Sequence, residues 1–365
     1  MIPTAREGPG RRGRGRYALT ESEHGHLWGD CAEVEGLFGE PERGTYELLG
    51  WVPDGAGVRG WVGSRAWLVP QDTELGPWLL EDAESLGTHP RTGALVLTGM
   101  DDHMGPPEGH RGPVRLHDGS RWLGSGREFA RVLADGRAAP PLVLRGLSPH
   151  DRLRRALAAG TRRSLDLDEA RLEIRDDHGE PLTDRLLRPR VRTWRPSSHG
   201  PDLIDLELDE VLDRPVPAHA RPVWDRWLAG PPEVPGEWTA LDTRQRGAWL
   251  ELVRERGCRL EHRARPAGHV YELDGRHITD EPSLFLALGE AVNGPGGYFG
   301  GCVDALVDCL RGGFGCTTPA TLHWRDAATA REHLSRVLTP EGRPYDLVAL
   351  VLEVLAEGRM HVTSA

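Results

Sequence analysis

The last hundred residues alternate strand patterns with helical patterns, and this alternation limits the folds open to them. The strand patterns are HVYEL, ATLHW and MHVTS, and two helical patterns lie in each interval between them. Strands joined through helical crossovers run parallel in one sheet, because such a connection returns the chain to the same end of the sheet. Residues 267–365 are therefore predicted to form an α/β domain with a three-stranded parallel sheet covered by helices.

The part of the chain before this domain has a different pattern. Short strand patterns separated by turn signals predict an α+β, strand-rich region over residues 17–213, with a second alternative of two small domains divided near 101–113. Within it, TYELLGWVP and VRGWVG predict a hairpin that brings Trp51 close to Trp61. Helices are predicted for GREFARVLADG and HDRLRRALAAG.

Two further segments complete the predicted organisation. Residues 1–16 are rich in Gly and Arg and predict a disordered tail, since no basic fold follows them that would indicate nucleic-acid binding. Residues 214–266 combine a Pro-rich stretch, either a linker or an extended packing segment, with a helix near 243–256. Asp242 and Gln245 form a capping box at the start of that helix.

Composition limits the class of protein and its compartment. The chain has 365 residues and a net charge of −11, and it contains no apolar run of the roughly 18 residues that a membrane helix needs. An N-terminus without an apolar stretch behind its arginines leads us to expect a cytoplasmic protein. All 45 basic residues are arginine, which indicates GC-rich coding and a bacterial source. The five cysteines form no CxxC pair, so reduced thiols are expected.

One short segment, VDALVDCL, places two acidic side chains one turn apart on a predicted helix. Its apolar residues share one arc of the helix, and Asp304 and Asp308 share the remaining sector. Like charges at this spacing cost a few tenths of a kcal/mol. Asp304 lies in the first turn, where the helix dipole stabilises a negative charge. Asp308 lies one turn later, where this stabilisation is lost. A solvated helix face is the ordinary interpretation, and a surface for a cationic partner is the alternative.

A longer stretch carries a resemblance to a known family. ELDGRHITDEPSLFLALGEAVNGPGGYFGGCVDALVDCL, followed by HWRD after a strand and AEG before the last strand, resembles the barstar family of intracellular ribonuclease inhibitors. The resemblance implies a three-stranded parallel sheet with four helices. It also implies an immunity protein, without cofactor or catalysis, whose acidic helix and preceding loop block the active site of a basic ribonuclease.

The family's binding residues are carried over by position. Asp308 corresponds to the central carboxylate and Asp304 to its neighbour one turn earlier. The resemblance also implies partner contacts at Tyr298, Gly300, Gly312 and Glu353. Cys302, Gly301 and Val307 depart from the family pattern, as does Arg311, which we expect to pair with an acid on the partner. These departures indicate a changed rim, and hence a different ribonuclease or weaker binding.

The charge balance suits such a partner. Residues 268–365 contain seven arginines and thirteen acidic residues, so the domain attracts a basic enzyme at long range. The expected partner is a barnase-like or guanyl-specific ribonuclease, or the ribonuclease domain of a toxin. Neither a membrane nor a nucleic acid is expected as a partner.

Two alternatives remain open from the sequence. In the first, the protein is a non-inhibitory adaptor or ligand-binding protein whose main function lies in the Trp-rich N-terminal region. In the second, the loop DDHMGPPEGH at 101–110 binds a cation or performs acid–base chemistry, although a solvated polar loop is commoner. A zinc site at Cys302 and Cys309 is not expected. Seven residues of helix rise about 10.5 Å, which is too far for the two thiols to bind the same ion. No metal site is therefore predicted.

Overall fold

The computed structural model describes residues 15–72, 74–101, 111–132, 141–159, 165–167, 169–209, 212 and 215–364. The predicted tail falls almost entirely outside these residues, and so does nearly all of the 101–110 loop. The described chain forms two compact units, each made of two separate stretches. The first unit comprises Met1–Glu40 and Ala138–Pro231, and the second comprises Pro41–Arg137 and Pro232–Ala365.

The strands among the described residues are, in chain order, β1 (Tyr17–Glu21), β2 (Leu27–Cys31), β3 (Glu33–Glu35), β4 (Gly44–Leu49), β5 (Val52–Pro53), β6 (Gly60–Pro70), β7 (Trp78–Thr88), β8 (Leu95–Asp101), β9 (Val114–His117), β10 (Trp122–Gly126), β11 (Glu128–Val132), β12 (Leu142–Pro149), β13 (Leu165–Asp166), β14 (Ala170–Arg175), β15 (Pro181–Leu187), β16 (Arg190–Pro196), β17 (Ile204–Asp209), β18 (Val270–Asp274), β19 (Ala320–Arg325), β20 (Val337–Leu338), β21 (Pro344–Tyr345) and β22 (Met360–Ser364). The helices are α1 (Asp151–Ala158), α2 (Arg221–Leu228), α3 (Thr243–Gly257), α4 (Glu281–Asn293), α5 (Val303–Leu310), α6 (Ala327–Leu334) and α7 (Leu347–Glu357), with short 3₁₀ turns at Ala218–Ala220 and Glu237–Ala240.

The sheet of the first unit closes on itself. Its order runs from β13 and β16 through β17, β12, β2 and β1 to β14 and β15. Because β13 leads into β14 and β15 leads into β16, the two ends of this order belong to one long hairpin. Alternating inward side chains such as Leu19, Leu144 and Leu206 fill the interior and are at most 1% exposed. α2 adds the buried Trp224 and Trp227 to this unit.

A second closed antiparallel sheet, β4–β11, belongs to the second unit. β4 pairs with β8 and β11, while β5 pairs with β10, so the continuous stretches β4–β5 and β10–β11 join the two ends of the sheet. Thirteen buried residues form its core, among them Tyr46, Trp78 and Phe129. Closure removes the unpaired edges that an open sheet would present.

Two sequence predictions for this region are wrong. The helix predicted over 126–136 contains strand β11 at Glu128–Val132, because Phe129 alternates inward to pack on Tyr46 and Trp78. The hairpin predicted between TYELLGWVP and VRGWVG does not form, because β4 and β5 pair with strands from later in the chain. β8 and β9, which flank the 101–113 segment, lie in the same closed sheet.

The C-terminal domain of the second unit has the predicted fold. β18, β19 and β22 form a parallel sheet in which Tyr271 pairs with Leu322 and Leu322 pairs with Val362. Its core includes Phe285 and Leu306, both at most 1% exposed. The fold class predicted for residues 267–365 is therefore confirmed, as is the strand-rich character of the preceding region.

The segment between residues 214 and 266 is packed. It carries α2 in the first unit and α3 in the second, and its four tryptophans, Trp224, Trp227, Trp238 and Trp249, are at most 3% exposed. The capping box predicted at Asp242 is present, with the Asp242 carboxylate accepting a hydrogen bond from the Gln245 amide. Among the described residues, none of the helices has the length and apolarity needed to cross a membrane.

A buried carboxylate joins the second closed sheet to α3. Asp82 lies at an irregularity in the β7–β8 pairing with φ of 47°, a conformation that Asp tolerates better than most residues. Its two oxygens accept hydrogen bonds from Trp61 Nε1 (3.0 Å), Arg43 Nη1 (2.9 Å), and Arg244 Nε (2.7 Å) and Nη2 (2.6 Å). Arg244 lies in the first turn of α3, so this cluster attaches that turn to the closed sheet.

A second contact joins the same sheet to the β20–β21 hairpin. The Leu338 amide donates to the Gly119 carbonyl at 2.6 Å, and His117 Nε2 lies 3.1 Å from the Pro340 carbonyl oxygen. His117 is fully buried, and burial lowers its pKa. Gly342 packs closely on Trp122, where an added side chain would meet the ring. This hairpin therefore holds the C-terminal domain to the closed sheet of the second unit, in addition to α3 and to the ion pair between Arg65 of β6 and Glu281 of α4 (2.7 Å).

We expect Asp82→Asn to lower the free energy of unfolding by about 3 kcal/mol, because it leaves Arg43 and Arg244 buried without their counter-ion. Asn tolerates the same positive φ, so the change isolates the charge. Urea unfolding followed by tryptophan fluorescence measures the effect. The control is Asp54→Asn, whose partner Arg115 lies 3.1 Å away in an exposed pair worth less than about 1 kcal/mol. Equal losses in the two variants would contradict the special role of Asp82.

Candidate functional site

The helix α5 separates an apolar side from an acidic side, as the sequence indicates. Leu306, Cys309 and Leu310 are buried, whereas Asp304 and Asp308 are exposed. The helix begins after Cys302, whose extended backbone places its carbonyl to accept the first helical hydrogen bond, from the Leu306 amide (3.0 Å). The two carboxylates therefore stand on the first and second turns and face solvent.

The loop before α5 depends on a glycine. Gly300 has φ of 89°, and a Cβ there would lie 3.0 Å from the Leu306 Cα and 3.1 Å from its nitrogen. A larger residue would push the loop away from the first turn of α5. Asn293 fixes the same loop from below, because its side-chain amide donates to the carbonyls of Tyr298 (2.7 Å) and Phe314 (3.1 Å). This role of Asn293 depends on partners that no local sequence pattern indicates.

Tyr298, which the resemblance placed among the contact residues, is 4% exposed. Its ring meets the Phe314 ring edge-on at 5.7 Å between centroids, and burial raises its pKa. In this conformation Tyr298 supports the loop from inside the protein. Any contact with a partner requires the loop to change shape or involves only the edge of the ring.

Arg311 does not stand free in this structure. Its Nη1 lies 2.7 Å from Asp308 Oδ1, and both side chains are mostly exposed, at 74% and 66%. Asp304 has no hydrogen bond or ion pair to any residue that the structure describes. On the acidic face of α5, Asp304 is therefore unpaired among the described residues, and Asp308 forms an exposed ion pair with Arg311.

The remaining predicted residues lie at the C-terminal end of α5 and on a neighbouring helix. Gly312 is exposed, with φ of 121°, and nothing packs within 4 Å of its missing side chain. Glu353 is exposed on α7, the helix that packs against α5 where Leu310 meets Gly358. Asp304, Asp308, Arg311 and Gly312 are therefore adjacent along α5, and Glu353 stands on the helix beside it.

A support that the sequence did not reveal comes from α3. An added Cβ at Gly257, the last residue of α3, would lie 2.8 Å from Tyr298 Cγ, so only glycine allows the helix and the loop to approach this closely. A Cβ at Gly301 would lie 3.8 Å from Arg254 Cδ. The C-terminal end of α3 therefore buttresses the loop that leads into α5.

A half-buried carboxylate holds the other end of this loop. Glu290 accepts hydrogen bonds from the amides of Gly236 (2.8 Å) and Gly296 (3.4 Å). Burial raises the pKa of Glu290 above its ordinary value. Glu290 thus ties the NGPGG segment to the 3₁₀ turn before α3.

A basic pocket is lined by the loop before α5 and by the end of α3. All of its lining residues precede Asp304 and Asp308 in the sequence. It has a volume of about 410 Å³ between residues 256–265 and 292–298. Three arginines line it, Arg256, Arg263 and Arg265, together with His262, Tyr298 and one acidic residue, Glu261. The structure therefore places a positively charged pocket beside the loop and a negatively charged helix face after it.

Comparison with known proteins supports the resemblance for part of the chain. Residues 268–339 match the family model Barstar, described as barnase inhibitor. No curated protein and no solved structure matches the chain. The match contains α4, the loop, α5, β19 and α6, and it ends before α7 and β22.

We expect Gly257→Ala to lower the free energy of unfolding by about 1–3 kcal/mol, because the new methyl group overlaps Tyr298. A matched control stands in the same helix. Gly247→Ala meets no atom within 4 Å and should raise stability by about 0.5–1 kcal/mol, since alanine favours the helix. Thermal and urea unfolding of both variants measure the difference. Stabilisation by both substitutions would mean that α3 does not press on the loop.

Proposed function

We propose that this chain, whose C-terminal domain belongs to the Barstar family, inhibits a basic ribonuclease by placing the acidic face of α5 in the enzyme's active site. The observation that carries the proposal is the pair Asp304 and Asp308, exposed one turn apart inside the segment that matches the family. Because the matched family is described as an inhibitor family, we propose no catalytic chemistry for this domain.

Electrostatics favours such a partner. Two carboxylates at adjacent turns repel each other in the free protein, and cationic side chains of a ribonuclease active site would reverse that cost. Carboxylate oxygens accept charge-assisted, bidentate hydrogen bonds from arginine as phosphate oxygens do. The acidic C-terminal domain would also speed encounter with a basic enzyme at low salt.

Arg311 modifies this picture. To admit an enzyme arginine at Asp308, Arg311 must release its ion pair, which as an exposed pair is worth at most about 1 kcal/mol. A buried, bidentate contact with the enzyme is stronger than the pair that it replaces. Arg311 is then available for an acidic side chain on the enzyme surface next to the active site.

The rival adaptor function receives less support from the tryptophans. Within residues 17–213, Trp28 and Trp78 are at most 7% exposed and serve the cores, and Trp51, Trp61, Trp67 and Trp122 are half-buried. Trp194 is 45% exposed on β16. One exposed ring among neighbouring ion pairs is a smaller platform than a Trp-rich binding surface would offer.

Calorimetry of the full chain against barnase-like and guanyl-specific ribonucleases tests the proposal, with enzyme activity measured in parallel. The full chain is needed because α3, the β20–β21 hairpin and the Arg65–Glu281 ion pair join the C-terminal domain to the closed sheet of the second unit. We expect stoichiometric inhibition that weakens as salt rises. Asp308→Ala should weaken binding at least about 30-fold, the scale of an interface hot spot.

A matched control separates this site from general charge. Glu332→Ala removes one exposed negative charge from α6 and should change the affinity by no more than about twofold. Binding without inhibition, or inhibition that Asp308→Ala leaves intact, would contradict the proposal. A panel in which no enzyme binds would favour the adaptor.

A further inference from the structure

The turn between β1 and β2, in the first unit, gathers three side chains that ligate metals in proteins. Glu21 ends β1, and His24 and His26 follow it at alternate positions. The turn is closed by hydrogen bonds from the Glu21 amide to the His26 carbonyl (2.9 Å) and from the Gly25 amide to the Glu21 carbonyl (3.1 Å). Gly25 has φ of 67°, which lets the chain reverse between the two histidines.

The ligand atoms converge within the turn. Glu21 Oε2 lies 2.8 Å from His26 Nδ1 and 3.6 Å from His24 Nδ1. One ligand atom from each of the three side chains lies within 4.8 Å of the others. The two imidazole rings stack with centroids 5.7 Å apart.

These separations suit a small divalent ion. With bonds of about 2.0–2.1 Å, the ligand atoms of a tetrahedral zinc site lie roughly 3.4 Å apart. The separations within the turn bracket that value, and the histidine side chains are 59% and 65% exposed, so small rotations complete the geometry. Glu23 Oε2, 3.8 Å from His24 Nδ1, stands close enough to compete with water for a fourth position.

A neighbouring arginine orients the carboxylate. Arg152 Nη1 donates to Glu21 Oε1 at 3.0 Å, and its guanidinium stacks on Trp28 at 4.5 Å from the ring centroid. This contact engages one oxygen of Glu21 and leaves the other directed toward the histidines, as outer-shell partners of metal ligands do. The hydrogen bonds from His26 and Arg152 also hold the pKa of Glu21 below its usual value, so it is ionised at neutral pH.

We propose that Glu21, His24 and His26 form a binding site for a divalent transition-metal ion, with Zn²⁺ as the best match to two imidazoles and one carboxylate. The bound ion cross-links the two ends of the β1–β2 turn and so stabilises the end of the sheet where β1 and β2 meet. Because protons compete with a metal ion for imidazole nitrogens, affinity falls as the pH is lowered.

Titration of the untagged, metal-free full chain with ZnCl₂ by calorimetry tests this site. We expect one Zn²⁺ per chain and at least a tenfold loss of affinity in His24→Ala and in Glu21→Gln. Substitution with Co²⁺ should give the absorption spectrum of a tetrahedral N/O site in the native chain and lose it in both variants. The melting temperature of each metal-free variant, unchanged from that of the native chain, shows that the fold is kept.

Two controls locate the ion. His277→Ala removes an exposed histidine elsewhere and should leave the affinity unchanged. A double substitution of His103 and His110 tests the polar loop at 101–110, which lies outside the described residues. Zinc binding that this double substitution abolishes and His24→Ala spares would overturn the proposal, as would the absence of saturable binding up to millimolar Zn²⁺.

Discussion

The ion pair between Asp82 and Arg244 anchors the first turn of α3 to the closed sheet of the second unit. A carboxylate that is 8% exposed must be paired to be tolerated, and here two arginines and a tryptophan N–H satisfy it. Because Arg244 lies in the first turn of α3, the pair fixes the start of that helix on the closed sheet. The end of α3, at Gly257, then presses against the loop that leads into α5. The closed sheet thus positions α3, and α3 packs against the loop of the candidate binding surface.

This chain of contacts gives the closed sheet of the second unit a physical connection to the acidic helix. Within the second unit, the β20–β21 hairpin adds a second attachment through His117 and Leu338. Loops that bind other proteins lose less conformational entropy when they are held in place beforehand. Glu290, Asn293 and Gly257 hold the 293–301 loop from three sides, and this restraint favours a pre-organised surface.

The sequence predicted the C-terminal domain better than the rest, for a physical reason. Its helices are periodic and its strands are separated by helical crossovers, so local pattern and topology agree. β11 was predicted as a helix, because the pattern EFARV fits both the helical and the strand periodicity. Only its pairing with β4 makes this segment a strand. Asp304 and Asp308 were predictable from helical spacing, whereas Arg244, Gly257 and Glu290 act through partners distant in sequence, which a local pattern does not reveal.

Hydrogen–deuterium exchange of the full chain, with and without a ribonuclease that it inhibits, tests most directly whether α5 is the inhibitory surface. Amide protection reports which segments a partner covers or stiffens. The account predicts added protection in the loop and helix between Tyr298 and Gly312, and little change in the closed sheet of the first unit. Protection confined to the closed sheets, with exchange at α5 unchanged, would contradict it.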